Sequence, residues 1–118
     1  MTISRTRGLE GARVISWEAN HQQIVKHYQN SASGVVLKDQ CSVLLIEPIN
    51  RPDNAVIYNE DGSEKRRIKN PLGERGAFGF TEGGYEGQEL TLIIRIPGSE
   101  FAYVLDEQGN PKAMKEIR

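Results

Sequence analysis

Hydrophobic positions along the chain fall in short apolar or alternating runs, each stopped by glycine, proline, asparagine or aspartate. That punctuation belongs to an antiparallel meander, since an amphipathic helix would repeat its apolar stripe about every 3.6 residues without such stops. It predicts strands at 12–17, 34–37, 42–47, 55–58, 65–68, 77–81, 89–96, 101–105 and 112–117. The runs "SVLLIEPI" and "LTLIIRIP" are the most continuously apolar, which predicts central strands covered on both faces. Segment 18–30 reads two ways. Trp17, His21, Ile24, Val25 and Tyr28 share one face of a helix, yet everything around them reads as β. The expected fold is therefore mainly β, a single antiparallel sandwich or partly open barrel, with at most one short helix near 18–30. Its expected core is Val14, Ile15, Trp17, Val36, Val43, Leu45, Ile46, Val56, Ile57, Phe80, Leu92, Ile94, Ile96, Val104 and Leu105.

A repeat sharpens this picture. "AVIYNEDGSEK" (55–65) aligns with "AYVLDEQGNPK" (102–112) at an offset of 47 (109 minus 62), and each follows a long apolar strand closed by proline. Two copies are too few for a solenoid, so a strand, connector and hairpin unit used twice in one domain is expected. In each hairpin, Asn59 or Asp106 opens the turn with a side-chain acceptor and Gly62 or Gly109 takes the left-handed position.

Composition narrows the functional classes. A length of 118 residues fits one domain, 1–118, with 1–10 as a flexible or peripheral N-terminal segment. Fifteen basic and sixteen acidic side chains leave a net charge of -1, without the excess expected of a general nucleic-acid binder. No apolar run approaches the roughly 18 residues of a helical membrane span, and none follows the early arginines as a secretory signal requires, so a cytoplasmic protein without a membrane partner is expected. The single cysteine, Cys41, excludes an intrachain disulfide and paired-cysteine zinc sites, and its apolar neighbours predict a buried thiol.

Candidate chemistry is sparse. Asn59, Asp61 and Gly62 match the middle of a calcium loop, but Ile57 and Ile68 occupy its terminal ligand positions, so the cluster reads as a turn. Lys65, Arg66, Arg67 and Lys69 could hold phosphate, yet strand alternation sends Lys65, Arg67 and Lys69 to one face and Arg66 with Ile68 to the other. His21 and His27 are about 240° apart on a helix and roughly 20 Å apart on a strand, so local structure cannot bring them to one metal. No cofactor, metal or catalytic residue is assigned. "FGFTEGGYEGQE" offers the most suggestive surface, an exposed loop or bulged strand pair displaying Glu82, Tyr85, Glu86 and Glu89 to a basic protein partner.

The stretch "LLIEPINRPDNAVIYNEDGSEKRRIKNP" (44–71) resembles small bacterial immunity proteins of contact-dependent and other polymorphic toxin systems, through Asn54, Ala55, Tyr58, Asn59, Asp61, Gly62 and Ser63. The resemblance implies a non-enzymatic domain that binds and blocks a cognate toxin, with no catalytic or interface residue carried over. Two alternatives stand beside it. One is a small hydrolase using Glu82 and Glu86, or Cys41 with a histidine; the other is a small β-barrel that binds RNA or a ligand through Lys65, Arg66, Arg67 and Lys69.

Overall fold

A computed structural model describes residues 3–8, 11–49 and 51–118. Among the described residues, eleven strands form three antiparallel meanders. The first sheet contains β1 (Ile3–Gly8), β2 (Gly11–Ala19) and β3 (Gln22–His27). The second contains β4 (Ser33–Val36), β5 (Ser42–Ile46), β6 (Ala55–Asn59) and β7 (Glu64–Ile68). The third contains β8 (Phe80–Glu86), β9 (Glu89–Ile96), β10 (Ser99–Leu105) and β11 (Pro111–Glu116). Within each sheet the strands lie in chain order, and no sheet closes into a barrel. Of the expected N-terminal segment, Ile3–Gly8 is the edge strand β1, and Met1, Thr2, Leu9 and Glu10 lie outside the described residues.

The second sheet is the middle layer. Val43, Leu45, Val56 and Tyr58 form one hydrophobic core with Ile15 and Trp17 of the first sheet. Leu44, Ile46, Ala55 and Ile57 point the other way and form a second core with Phe80, Leu90, Leu92, Ile94 and Leu105 of the third. Sandwiching on both faces explains why every residue of β5 is buried and why its sequence does not alternate. The sequence reading of β5 as a doubly covered strand therefore holds, and the equal reading of β9 does not. Leu90, Leu92 and Ile94 are buried, and on the opposite side Thr91 is buried too, but Ile93 is half-buried and Arg95 is exposed there, where no fourth sheet follows among the described residues. Among the expected core residues, Val14, Val36, Ile96 and Val104 are only half-buried.

Between Glu18 and Asn30 there is no helix. Asn20 and His21, both at positive φ, turn β2 back into β3, so Ile24, Lys26 and Tyr28 share the face that packs on the second sheet. Cross-strand pairing of Trp17 with Ile24 and of Ser16 with Val25 overrode the helical spacing. The only helical element among the described residues is a 3-10 turn, Gly73–Arg75.

The repeat extends well beyond the two turns. In the second sheet Ile46 pairs with Ala55 and Ala55 with Ile68, while Leu44 pairs with Ile57 and Ile57 with Arg66. At an offset of 47 the third sheet pairs Ile93, Ala102 and Lys115, then Thr91, Val104 and Ala113, with the β-bulge one step further along in both hairpins. The first sheet supplies a corresponding row, Ile3, Trp17 and Ile24.

The two junctions between sheets are also built alike. Gly34 of β4 faces Leu45 and approaches Ile3, while Gly83 of β8 faces Leu92 and approaches Ile46; a Cβ at either glycine would collide with the facing leucine. The β6–β7 turn sits on the first sheet, where Trp17 Nε1 donates to Glu60 O (2.8 Å) and Lys26 Nζ to Gly62 O (2.9 Å). The β10–β11 turn sits on the second, where Arg66 Nη1 donates to Asn110 Oδ1 (2.6 Å). Gly62 (φ 90) and Gly109 (φ 88) occupy the left-handed position and lie against Ile24 in one case and Ile57 and Ile68 in the other. The acids of these turns are hydrogen-bond acceptors that close the loops. Asp61 takes the Ser63 N–H and Oγ–H, and Asp106 takes the Gln108 and Asn110 N–H groups, so both carboxyls are held below the usual carboxylate range by those bonds.

Candidate functional site

The Gly-rich stretch is strand β8, and its alternation separates the four residues expected to act together. Glu82, Gly84 and Glu86 pair with Ile93, Thr91 and Glu89 on the outer face of the third sheet; Gly83 and Tyr85 pair with Leu92 and Leu90 on the inner face. A bulge between Phe80 and Glu82 sets this phase.

Tyr85 also lines the groove beside Glu82 and Glu86, and its hydroxyl is engaged within the chain as a half-buried brace. Its hydroxyl donates to Glu107 Oε1 (2.6 Å) and accepts the Lys38 N–H (3.0 Å), and Lys38 Nζ lies 4.8 Å from the ring centre. Desolvation first, then the bond to Glu107, push the phenol up to about 12. The brace ties β8 to the loops at one end of the sandwich.

Three carboxylates remain on the outer face. Glu82 and Glu86 flank Gly84 in a groove of about 270 Å³ that Thr91 and Ile93 also line. Gly84 has open space where a Cβ would stand, so the floor of the groove is bare backbone. Glu89 at the end of the hairpin is held 3.5 Å from Lys112 Nζ. Glu82 and Glu86 lie four residues apart on one strand, roughly 13 Å along it. That spacing exceeds both carboxylate separations used in glycoside hydrolysis, and neither residue is hydrogen-bonded to the other, so the hydrolytic pairing finds no geometry here.

Other sequence candidates are drawn into scaffold roles. Cys41 is exposed, contrary to expectation, because it belongs to the β4–β5 turn rather than to the apolar strand, which starts at Ser42. The Cys41 N–H donates to Asp39 Oδ1. His21 lies in the β2–β3 turn and His27 at the end of β3, and neither hydrogen-bonds to the thiol. Among the described residues, no group of three His, Cys, Asp or Glu could hold a metal ion. In the basic run, Arg66 holds the β10–β11 turn, Arg67 bonds Asp53 O, Glu47 and Glu64, and Lys65 reaches Ser42 Oγ. Arg66 and Ile68 do share a face, and a bulge displaces Lys65 from the alternation expected for it.

Sequence reasoning missed the network around Glu47. Its Oε2 accepts the hydroxyls of Tyr28 and Tyr58, each at 2.7 Å, and its Oε1 lies 3.4 Å from Arg67 Nη2. Desolvation and the bonds to Glu47 raise both phenols above their ordinary value. The cluster opens on a cavity of about 370 Å³ that His27, Arg51 and Pro48 also line. It bolts the first sheet to the second at the place where β5 ends. An acidic residue closing an apolar strand before proline was its only sequence signal. Asn54 does the same for the second and third sheets: buried, it donates to Glu47 O and Phe80 O and accepts the Phe80 N–H.

No protein-family model matches the chain, and no curated protein matches it in sequence. Its fold is similar to that of a chain in the solved structure of Tne2 in complex with Tni2, with a TM-score of 0.72 and 13% identity over 91% of this chain and 78% of that one. At that identity the likeness shows the fold alone, and it shows it in a protein solved as part of a two-protein complex.

Proposed function

We propose that this chain is a non-enzymatic, immunity-type protein that neutralises a bacterial toxin in the cytoplasm by binding it and covering its active site. The observation that carries this reading is the division of labour in the third sheet. Its inner face is spent on the core, while its outer face keeps Glu82 and Glu86 on a bare backbone groove, with Glu89 at the hairpin end beside them. The resemblance of residues 44–71 to immunity proteins and the fold shared with a member of a protein complex support the same class. The charge suits a basic target, and a nuclease, whose active site binds phosphate, is the toxin class that fits it best.

Co-purification with the product of the adjacent toxin gene tests the proposal. A complex at micromolar concentration that abolishes the toxin's activity is expected, with affinity reduced at least about tenfold by the triple change Glu82→Lys, Glu86→Lys, Glu89→Lys. Absence of a complex at that concentration would overturn it.

A further inference from the structure

The third sheet ends the stack, and the rows that cross its outer face are self-complementary. From β8 to β11 one row reads Glu82, Ile93, Ala102, Lys115, and the next reads Gly84, Thr91, Val104, Ala113. The first is acid, large apolar, small apolar, base, with Ala102, and Thr91 in the next row, set low in the face at 4% and 7% exposed between taller neighbours. Consider a second copy rotated by 180° about an axis along the strands and laid on this face, which puts β8 over β11 and β9 over β10. Glu82 then meets Lys115 of the second copy, Ile93 meets Ala102 of the second copy, and Thr91 meets Val104 of the second copy. At one end of the face the pair Arg95 and Glu100, joined at 2.6 Å, interleaves with the same pair of the second copy. An isologous interface requires this kind of palindrome.

Two further observations bear on the face. Neighbouring charges are paired within the chain, as in Lys112 with Glu89 and Arg118 with Glu100, whereas among the described residues the Glu82 and Lys115 side chains are in no ion pair or hydrogen bond, and Glu82 feels Arg95 only through space. Moreover, Ile93 and Ala102 stand where Ile46 and Ala55 stand in the second sheet, a row that is buried by the sheet stacked upon it. Lys115 replaces Ile68 in that row, which converts a dry stacking edge into a charged one.

We propose that the outer face of the third sheet is a two-fold interface between copies of this chain, locked by Glu82 of each copy against Lys115 of the second copy. A four-stranded face of this length buries roughly 1,000–1,200 Å² in total, at the low end of specific interfaces, so the dimer forms in a concentration-dependent way. This inference does not rest on the toxin-binding reading. The two share Glu82, so dimer and toxin complex exclude each other, and the test below contains no partner.

Sedimentation velocity on the full chain from about 5 to about 500 µM reads the outcome. A monomer–dimer equilibrium is expected, weakened at least about tenfold by Glu82→Lys or Lys115→Glu alone and restored by the two together, because each copy then presents the swapped pair. Both side chains are exposed, and circular dichroism checks that the variants fold. Ala113→Arg, which fills the face by bulk, is expected to give monomers. A wild-type chain that stays monomeric at the highest concentration, or a dimer indifferent to these changes, would overturn the proposal.

Discussion

The second and third sheets are the same meander in different surroundings. Their strands pair in the same register, their last hairpins carry the bulge at the same step, and a glycine of the first strand faces a leucine of the second in each. One is packed on both sides, the other on one. Where the middle sheet has Leu44, Ile57 and Ile68, the outer sheet has Thr91, Val104 and Lys115. Register is therefore specified by the inward rows that both sheets share, and the outward rows of the last sheet are free to vary. Binding is expected where the scaffold asks nothing of the side chains.

The comparison breaks most visibly at matched positions. Ile57→Ala empties a site that is 1% exposed and is expected to cost about 2–5 kcal/mol in urea unfolding; Val104→Ala, its half-buried counterpart, is expected to cost about 1 kcal/mol or less. Equal losses would mean that the third sheet's outer face is covered in the free protein. Adjacent glycines of β8 separate the two faces of a single strand. Gly83→Ala drives a Cβ to 2.7 Å from Leu92 and 2.8 Å from Ile46, at an expected cost of about 1–3 kcal/mol. Gly84→Ala enters open space and is expected to be neutral or stabilising by about 0.5 kcal/mol, with thermal melts as the readout.

The junctions differ too, and smaller effects sharpen that difference. Trp17→Phe removes a part-buried bond to Glu60 O and part of a buried ring, and is expected to lower unfolding free energy by about 2 kcal/mol. Arg66→Ala, which breaks exposed bonds at the equivalent junction, is expected to stay within about 0.5 kcal/mol. Alkaline titration gives the finest distinction. Tyr85 keeps its proton more tightly folded than unfolded, so its contribution is whole below about pH 10 and is lost as pH rises toward about 12. Unfolding followed across that window should show a loss that Tyr85→Phe diminishes. The phenols of Tyr28 and Tyr58 are also raised, by burial and by their bonds to Glu47, so they add to the loss above about pH 10 and Tyr85→Phe removes only part of it.

Much of this architecture can be read from the chain. The turns at Asn59–Ser63 and Asp106–Asn110 were specified by local chemistry, an acceptor side chain followed by a left-handed glycine, which is why an offset of 47 exposed them. The β2–β3 hairpin was obscured because Trp17, Ile24 and Tyr28 satisfy helical and strand spacing alike, and only pairing across the turn decides between them. The facing of Tyr85 is hidden for a related reason. In "TEGGYE" two glycines leave too few side chains to reveal the phase of alternation, and the bulge that fixes it involves a partner strand.

The antiparallel strands, their breakpoints and the duplicated hairpin are written in the chain, because they depend on interactions between near neighbours. Tertiary structure alone decided which faces of the strands would be dry. β5 and β9 both carry an unbroken inward row of large apolar residues, but β9 has Glu89, Thr91 and Arg95 on its other face, and a sheet lies on each side of β5 and on a single side of β9. Burial is a property of what stands opposite a residue, so the carboxylates left on the last open face became legible only once the layers had been counted.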